Sequence, residues 1–152
     1  MLPVFPARKS GDGMRIVDKF AVAAMDFSVA GQPSATIKRK LKQLGIDAST
    51  IRRVSIATYE AEINLVIHSF GGEIECEISP EGIKITISDK GPGIPDVNKA
   101  MTEGFSTASD EARDMGFGAG MGLPNMSKNA DGFSIESQVG KGTTITMTFL
   151  LN

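Results

Sequence analysis

Glu60 and Asn64 are polar residues one helical turn apart in a segment of largely apolar residues. A helical wheel, at about 100 degrees per residue, places both within the apolar arc and turns Thr58 and Glu62 toward the opposite, solvent-facing side. Burying a carboxylate without a partner is costly. The pair therefore either faces a cleft that holds a cation or a reacting hydroxyl, or is satisfied by neighbouring backbone groups.

Asp89 ends an apolar strand pattern and is followed by Gly91 and Gly93. Glycine lets the backbone turn sharply or lets a ligand approach it closely. The same residue types occur in ordinary turns, so this motif alone is weak.

A third motif places glycine at every second position immediately before a predicted helix. Its members are Gly116, Gly118, Gly120 and Gly122. Open backbone N–H groups and a helix N-terminus favour anions, which suits a polyphosphate, although a mobile connector is the alternative. The run is not a Walker A loop, because no G-x-x-x-x-G-K-[ST] occurs, and no strand precedes it as in a dinucleotide-binding fold.

Taken in order with the segment Gly140-Lys141-Gly142-Thr143, these motifs resemble the N box, the two glycine boxes and the terminal Gly-Thr of the Bergerat-fold (GHKL) ATPases. The resemblance covers roughly residues 14–151. Within that superfamily the chain is most similar to the small bacterial serine kinases that act as anti-sigma factors or switch kinases. The features behind this are the stand-alone domain, the glutamate that opens the N box, and residues 89–96 and 104–107.

The resemblance implies a role for each motif. Asn64 would coordinate Mg²⁺, Glu60 would act as the catalytic base, and Asp89 would accept a hydrogen bond from the adenine amino group. Thr143 would help to hold the adenine through water, and residues 102–115 would form the ATP lid. The glycines would admit the base (Gly91, Gly93) or cradle the phosphates (Gly116, Gly118, Gly120, Gly122).

The function implied is that of an ATP-dependent serine/threonine protein kinase, with ATP and Mg²⁺ as cofactors, acting in transcriptional regulation. Its expected partner is a small STAS-type anti-sigma factor antagonist, or a sigma factor or other regulator, and a homodimer is compatible with this function. One alternative is a non-catalytic, ATP-gated module that sequesters a sigma factor or regulator. Another is a detached histidine-kinase catalytic domain, which the glutamate at position 60 disfavours.

The composition of the chain argues against several other classes of protein. The chain has 152 residues, which fits one domain, and its net charge of −2 argues against direct nucleic-acid binding. One cysteine and one histidine exclude a disulfide framework and a Cys-based or His-rich metal site. No apolar run approaches the roughly 20 residues that span a membrane, so we expect a cytoplasmic protein. Residues 1–13 are expected to be a disordered leader, and residues 14–152 a single ATP-binding kinase domain.

Periodicity supplies the elements that must position these residues. It predicts strands over residues 14–22, 133–138 and 143–151, helices over 33–44 and 51–69, a short helix over 96–101, and a helix that ends near residue 130. Between them lies a hairpin in which Ser79 pairs with Gly82 and Glu77 with Lys84, leaving Cys76 in the core. The predicted fold is an α/β (α+β) two-layer sandwich, with helices on one face of a mixed, mostly antiparallel sheet.

Overall fold

The structure is a computed structural model that describes residues 15–23, 30–68, 71–91, 93, 97, 101 and 122–151. Its elements in chain order are β1 (Ile16–Ala23), α1 (Gln32–Gln43), α2 (Ala48–His68), β2 (Gly71–Ser79), β3 (Gly82–Asp89), α3 (Gly122–Asn129), β4 (Gly132–Gln138) and β5 (Gly142–Leu150). The strands form one sheet in the order β1-β2-β3-β5-β4. All four pairings between these strands are antiparallel. The predicted two-layer fold with a mostly antiparallel sheet is confirmed, and none of these four pairings is the parallel one that a mixed sheet would contain.

The β2–β3 hairpin has the predicted register. Ser79 pairs with Gly82, and Glu77 lies opposite Lys84. Its isoleucines lie on the buried face, where a shift of one residue would expose them all. Cys76 shares this face, and burial raises the pKa of its thiol to about 12, so it is a core residue as expected.

Helix α1 follows the predicted boundaries closely. Gly31 precedes it with a φ of 96°, Pro33 lies in its first turn, and no side chain of its own caps the N-terminus. Gly45 ends it with a φ of 75°, a left-handed conformation that favours glycine. The N–H of Gly45 donates to the carbonyl of Lys42 at 3.1 Å, which closes the last turn.

Helix α2 starts at Ala48, three residues before the predicted start at residue 51. Asp47 caps it, because its carboxylate accepts hydrogen bonds from the Thr50 N–H at 3.0 Å and the Thr50 hydroxyl at 2.8 Å. These two bonds lower the pKa of Asp47.

The predicted orientation of α2 is wrong on one side. Thr58 and Glu62, expected to face solvent, are 0% and 1% exposed. The reason is that α2 packs against both the sheet and α1, so an arc opposite Glu60 is covered as well. Conversely Ile56, expected on an apolar face, is 39% exposed.

The core lies between the sheet and the three helices named above. Its fully buried side chains come from both layers and include Leu41, Leu65, Ile74, Ile83, Ile85, Met126, Met147 and Phe149. Within the described ranges, no helix is both long and apolar enough to cross a membrane. The predicted leader lies outside the described residues, as do most of the predicted helix over 96–101 and the predicted lid over 102–115.

Candidate functional site

Asp89, the last residue of β3, joins the end of this strand to the start of β5. Its Oδ1 accepts hydrogen bonds from the Gly91 N–H at 2.8 Å and from the Thr143 N–H at 3.0 Å. Two donors on one oxygen fix the orientation of the carboxylate. They leave Oδ2 as the oxygen that can accept a further hydrogen bond.

The backbone around Asp89 is packed too closely for side chains on either neighbouring strand. A Cβ on Gly142 would lie 2.2 Å from the Asp89 carbonyl oxygen and 3.1 Å from Oδ1, and the φ of Gly142 is 125°. On the other side Gly72 pairs with Asp89, and a Cβ there would lie 2.2 Å from the Ser88 carbonyl oxygen. Glycine at both positions lets three strands converge on this carboxylate.

Thr143 belongs to the same cluster through its backbone as well as its side chain. Besides the amide bond to Asp89, its hydroxyl lies 2.8 Å from the hydroxyl of Ser137, its partner on β4. Gly93, with a φ of 81°, lies against the β4–β5 turn, since a Cβ there would be 2.4 Å from the Gln138 carbonyl oxygen. Asp89, Gly91, Gly93 and Thr143 are therefore neighbours.

Glu60 and Asn64 lie on the half-buried side of α2, and Glu60 faces α3. A Cβ on Gly122, the first residue of α3, would lie 3.4 Å from Glu60 Oε2. Burial raises the pKa of Glu60, and a hydrogen bond from the Asn125 side chain partly offsets this rise. The carboxylate is thus partly desolvated at the point where α2 meets the start of α3.

Leu65 connects α2 to the Asp89 cluster. Its Cδ2 lies 3.1 Å from the position that a Cβ on Gly72 would occupy, and Gly72 pairs with Asp89. Asn64 precedes Leu65 directly, so this end of α2 passes beside the end of β3. Gly116, Gly118 and Gly120 lie outside the described residues, and Gly122 is the member of that run that the structure places.

The sequence reasoning missed Asn125, Ser137 and the close approach of Gly142 to Asp89. Asn125 could have been found from its spacing, because it lies three residues after Gly122 and so on the same face of α3. Ser137 could have been found from the β4–β5 register. No local signal marks the Gly142 contact, since its partner is 53 residues away in the sequence.

The side chains of the described residues determine which metal ion or nucleotide this part of the chain could hold. These residues contain no group of three or more His, Cys, Asp or Glu side chains that could hold a metal ion. Mg²⁺ bound to a nucleotide usually keeps waters and takes most of its ligands from phosphates, so the Asn64 side-chain oxygen is compatible with such a site. The oriented Asp89 carboxylate suits the exocyclic amine of a base.

Comparison with known proteins gives one consistent family. Residues 49–152 match the histidine kinase-, DNA gyrase B- and HSP90-like ATPase family. The serine/threonine-protein kinase RsbT of Bacillus subtilis is 36% identical over 108 residues, 68% of this chain and 75% of that protein. An anti-sigma F factor of a Thermoanaerobacter species is 36% identical over 111 residues, 70% of this chain and 74% of that protein.

Among solved structures, the RsbU and RsbW domains of a Mycobacterium tuberculosis protein match with a TM-score of 0.61 and 17% identity. The match covers 90% of this chain and 32% of that larger chain. At this identity the likeness supports the fold.

Proposed function

Because the chain belongs to the histidine kinase-, DNA gyrase B- and HSP90-like ATPase family, we propose that it is an ATP-dependent serine/threonine protein kinase that phosphorylates a protein partner. The names of the two relatives, a serine/threonine kinase and an anti-sigma factor, support this activity. The single observation that carries it is Glu60, a partly desolvated carboxylate at the junction of α2 and α3.

The Asp89 cluster is the proposed adenine site. Oδ1 is held by two backbone amides, so Oδ2 can accept from the adenine amino group without reorienting. Pre-orientation of this kind lowers the entropy lost on binding. Gly91 and Gly93 would admit the base beside this carboxylate, and Thr143 would hold the ring edge.

The triphosphate would extend from this cluster toward α3. Gly122 lies at the N-terminus of α3, where backbone N–H groups favour an anion. Asn64 would hold Mg²⁺, which neutralises phosphate charge when bound. Gly116, Gly118 and Gly120 are proposed to complete the phosphate site.

Glu60 is the proposed base. The partner's serine or threonine hydroxyl would attack the γ-phosphorus while its proton passes to the Glu60 carboxylate and the bond to ADP breaks. A raised pKa makes this carboxylate a better proton acceptor than an exposed glutamate. Phosphoryl transfer otherwise needs mainly positioning and charge neutralisation.

The proposed partner is a small STAS-type anti-sigma factor antagonist, and such a pathway would operate in the cytoplasm. A second function, sequestration of a sigma factor, is favoured by the relatives named anti-sigma F factor. The two functions differ in whether a phosphate reaches the partner.

The test is phosphotransfer from labelled ATP to candidate partners, with Glu60→Gln as the variant. This change keeps the shape but removes the base, so transfer should fall by about 10²–10⁴-fold while nucleotide affinity changes little. Glu73→Gln, on an exposed position of β2, is the matched control. Unchanged transfer in Glu60→Gln would remove Glu60 from the mechanism. Tight nucleotide-dependent partner binding without transfer by the wild type would favour sequestration instead.

A further inference from the structure

Helix α3 approaches Glu60 through two of its residues. Gly122 brings its backbone close to Glu60 Oε2, where a Cβ would lie at 3.4 Å. Asn125 lies one turn further on the same face of α3, and its side chain hydrogen-bonds to the Glu60 carboxylate. The absence of a side chain at Gly122 thus leaves Asn125 as the polar side chain of α3 that contacts Glu60.

We propose that Asn125 is a positioning residue, whose side-chain amide holds the Glu60 carboxylate toward the incoming hydroxyl. The inference rests on the proposed function, because it assigns Asn125 an effect through the base. Glu60 has three rotatable side-chain bonds, and a half-buried carboxylate without a directing donor would populate several rotamers. An amide donor fixes one of them.

The charges around Glu60 agree with a neutral partner. Arg53, two turns earlier on α2, contacts the Asn129 carbonyl at 3.3 Å and the Asp131 carboxylate at 3.4 Å. Lys128 is exposed in the last turn of α3. Burial raises the pKa of Glu60, and the hydrogen bond from the neutral Asn125 side chain partly offsets this rise. A neutral amide orients the carboxylate while leaving it more basic than a cation would.

A comparison of the two asparagines of α3 also supports a specific role for Asn125. Asn129, on the same helix, uses its side-chain amide to donate to the Asn125 carbonyl at 2.8 Å. It therefore stabilises the end of α3. The two asparagines of α3 thus have different tasks, and Asn129 offers a matched control for Asn125.

The experiment compares Asn125→Ala, Asn125→Asp and Asn129→Ala with the wild type. The ¹³C NMR titration of the Glu60 carboxyl is followed in the protein alone. Loss of a donor that favours the ionised form should raise the Glu60 pKa in Asn125→Ala. The nearly isosteric Asn125→Asp should raise it further, because a second carboxylate then faces it. Asn129→Ala should titrate like the wild type.

Phosphotransfer is the second measurement. In Asn125→Ala, kcat should fall by about 10–100-fold, since a misplacement of about 1 Å can cost about 10²-fold in rate. KM for ATP should be unchanged, and the acidic limb of the rate profile should move to higher pH. A purely structural role would lower the melting temperature in Asn125→Ala and Asn129→Ala alike and leave the limb in place.

Wild-type titration of Glu60 in both Asn125 variants would overturn the inference, whatever the kinase assay gives. If only the Asn125 variants shift the titration but no wild-type transfer to any partner is found, the contact stands and the kinase function fails. A shifted titration with wild-type kcat in Asn125→Ala would overturn the positioning role.

Discussion

Replacing Glu62 by glutamine should destabilise the fold by about 1–3 kcal/mol, although the two side chains have nearly the same size. Glu62 is 1% exposed and lies on the side of α2 that faces α1. Its carboxylate accepts hydrogen bonds from the Gly31 N–H at 2.5 Å and from the Ser34 N–H at 2.7 Å. Since α1 has no side-chain cap of its own, a residue of another helix satisfies its N-terminus.

The size of the destabilisation in Glu62→Gln follows from counting hydrogen-bond donors and acceptors. Glutamine offers one acceptor oxygen, so one of the two backbone N–H groups would face the NH₂ donor of the new side chain. An unsatisfied buried donor costs about 1–3 kcal/mol. For a chain of this size that corresponds to a fall of about 2–12 °C in the melting temperature. Glu62→Ala would lose both bonds and leave a cavity, at a cost of about 3–5 kcal/mol.

The contribution of Glu62 to folding stability depends on pH, and the sign of this dependence follows from its pKa. Burial raises the pKa of Glu62 above the ordinary value of 4.5, so the folded state binds the proton more tightly than the unfolded state. The stability contributed by Glu62 is therefore fully present below about pH 4.5 and falls as pH rises through the folded pKa. The deficit of Glu62→Gln should therefore be larger near pH 5 than near pH 7.

Urea and thermal unfolding of both Glu62 variants measure these differences, and Glu73→Gln serves as the exposed control, which should stay within about 0.5 kcal/mol of the wild type. If Glu62→Gln matches this control at both pH values, the carboxylate does not cap α1. A deficit that grows from pH 5 to pH 7 would contradict the raised pKa.

Three further predictions follow from the site and the core. Asp89→Asn should weaken ATP binding in calorimetry, and GTP should compete poorly with wild type, since a carbonyl would face the carboxylate; equal affinities for ATP and GTP would contradict the adenine assignment. Gly142→Ala should lower both the melting temperature and the ATP affinity, because its Cβ would overlap the Asp89 carbonyl oxygen. Gly140→Ala is the control: Gly140 has a φ of 82° and no neighbour within 4 Å, so this change should cost only backbone strain. Cys76 should react with a thiol reagent only at the rate of unfolding, because burial raises its pKa to about 12; rapid labelling of the native protein would contradict this.

The local sequence pattern was sufficient to predict the β2–β3 hairpin and helix α1. The β2–β3 register follows from alternating isoleucines and a Pro-Glu-Gly turn, which are adjacent in the sequence. The end of α1 follows from Gly45, whose left-handed backbone conformation ends the helix. In each case the interacting residues are close along the chain, so a short stretch of sequence shows both partners of the interaction.

The sequence patterns did not predict contacts between residues that are far apart in the chain. The bonds from Glu62 to Gly31 and Ser34 span 31 and 28 residues. The helical wheel assumed one wet side for α2, and packing against α1 covers that side too. The Asp89–Thr143 bond spans 54 residues, and only the family resemblance suggested that these two residues belong to one site.

Glu60 and Glu62 show how the same group on one helix acquires different tasks. Two residues along a helix rotate a side chain by about 200 degrees, so the two carboxylates lie on nearly opposite sides of α2. Burial raises the pKa of both. Glu62 meets two backbone amides that need an acceptor, whereas Glu60 meets one side-chain amide within the described residues and keeps oxygen lone pairs for a further proton donor. Burial alone therefore does not identify the base on α2; the number of donors that each carboxylate already satisfies distinguishes the two.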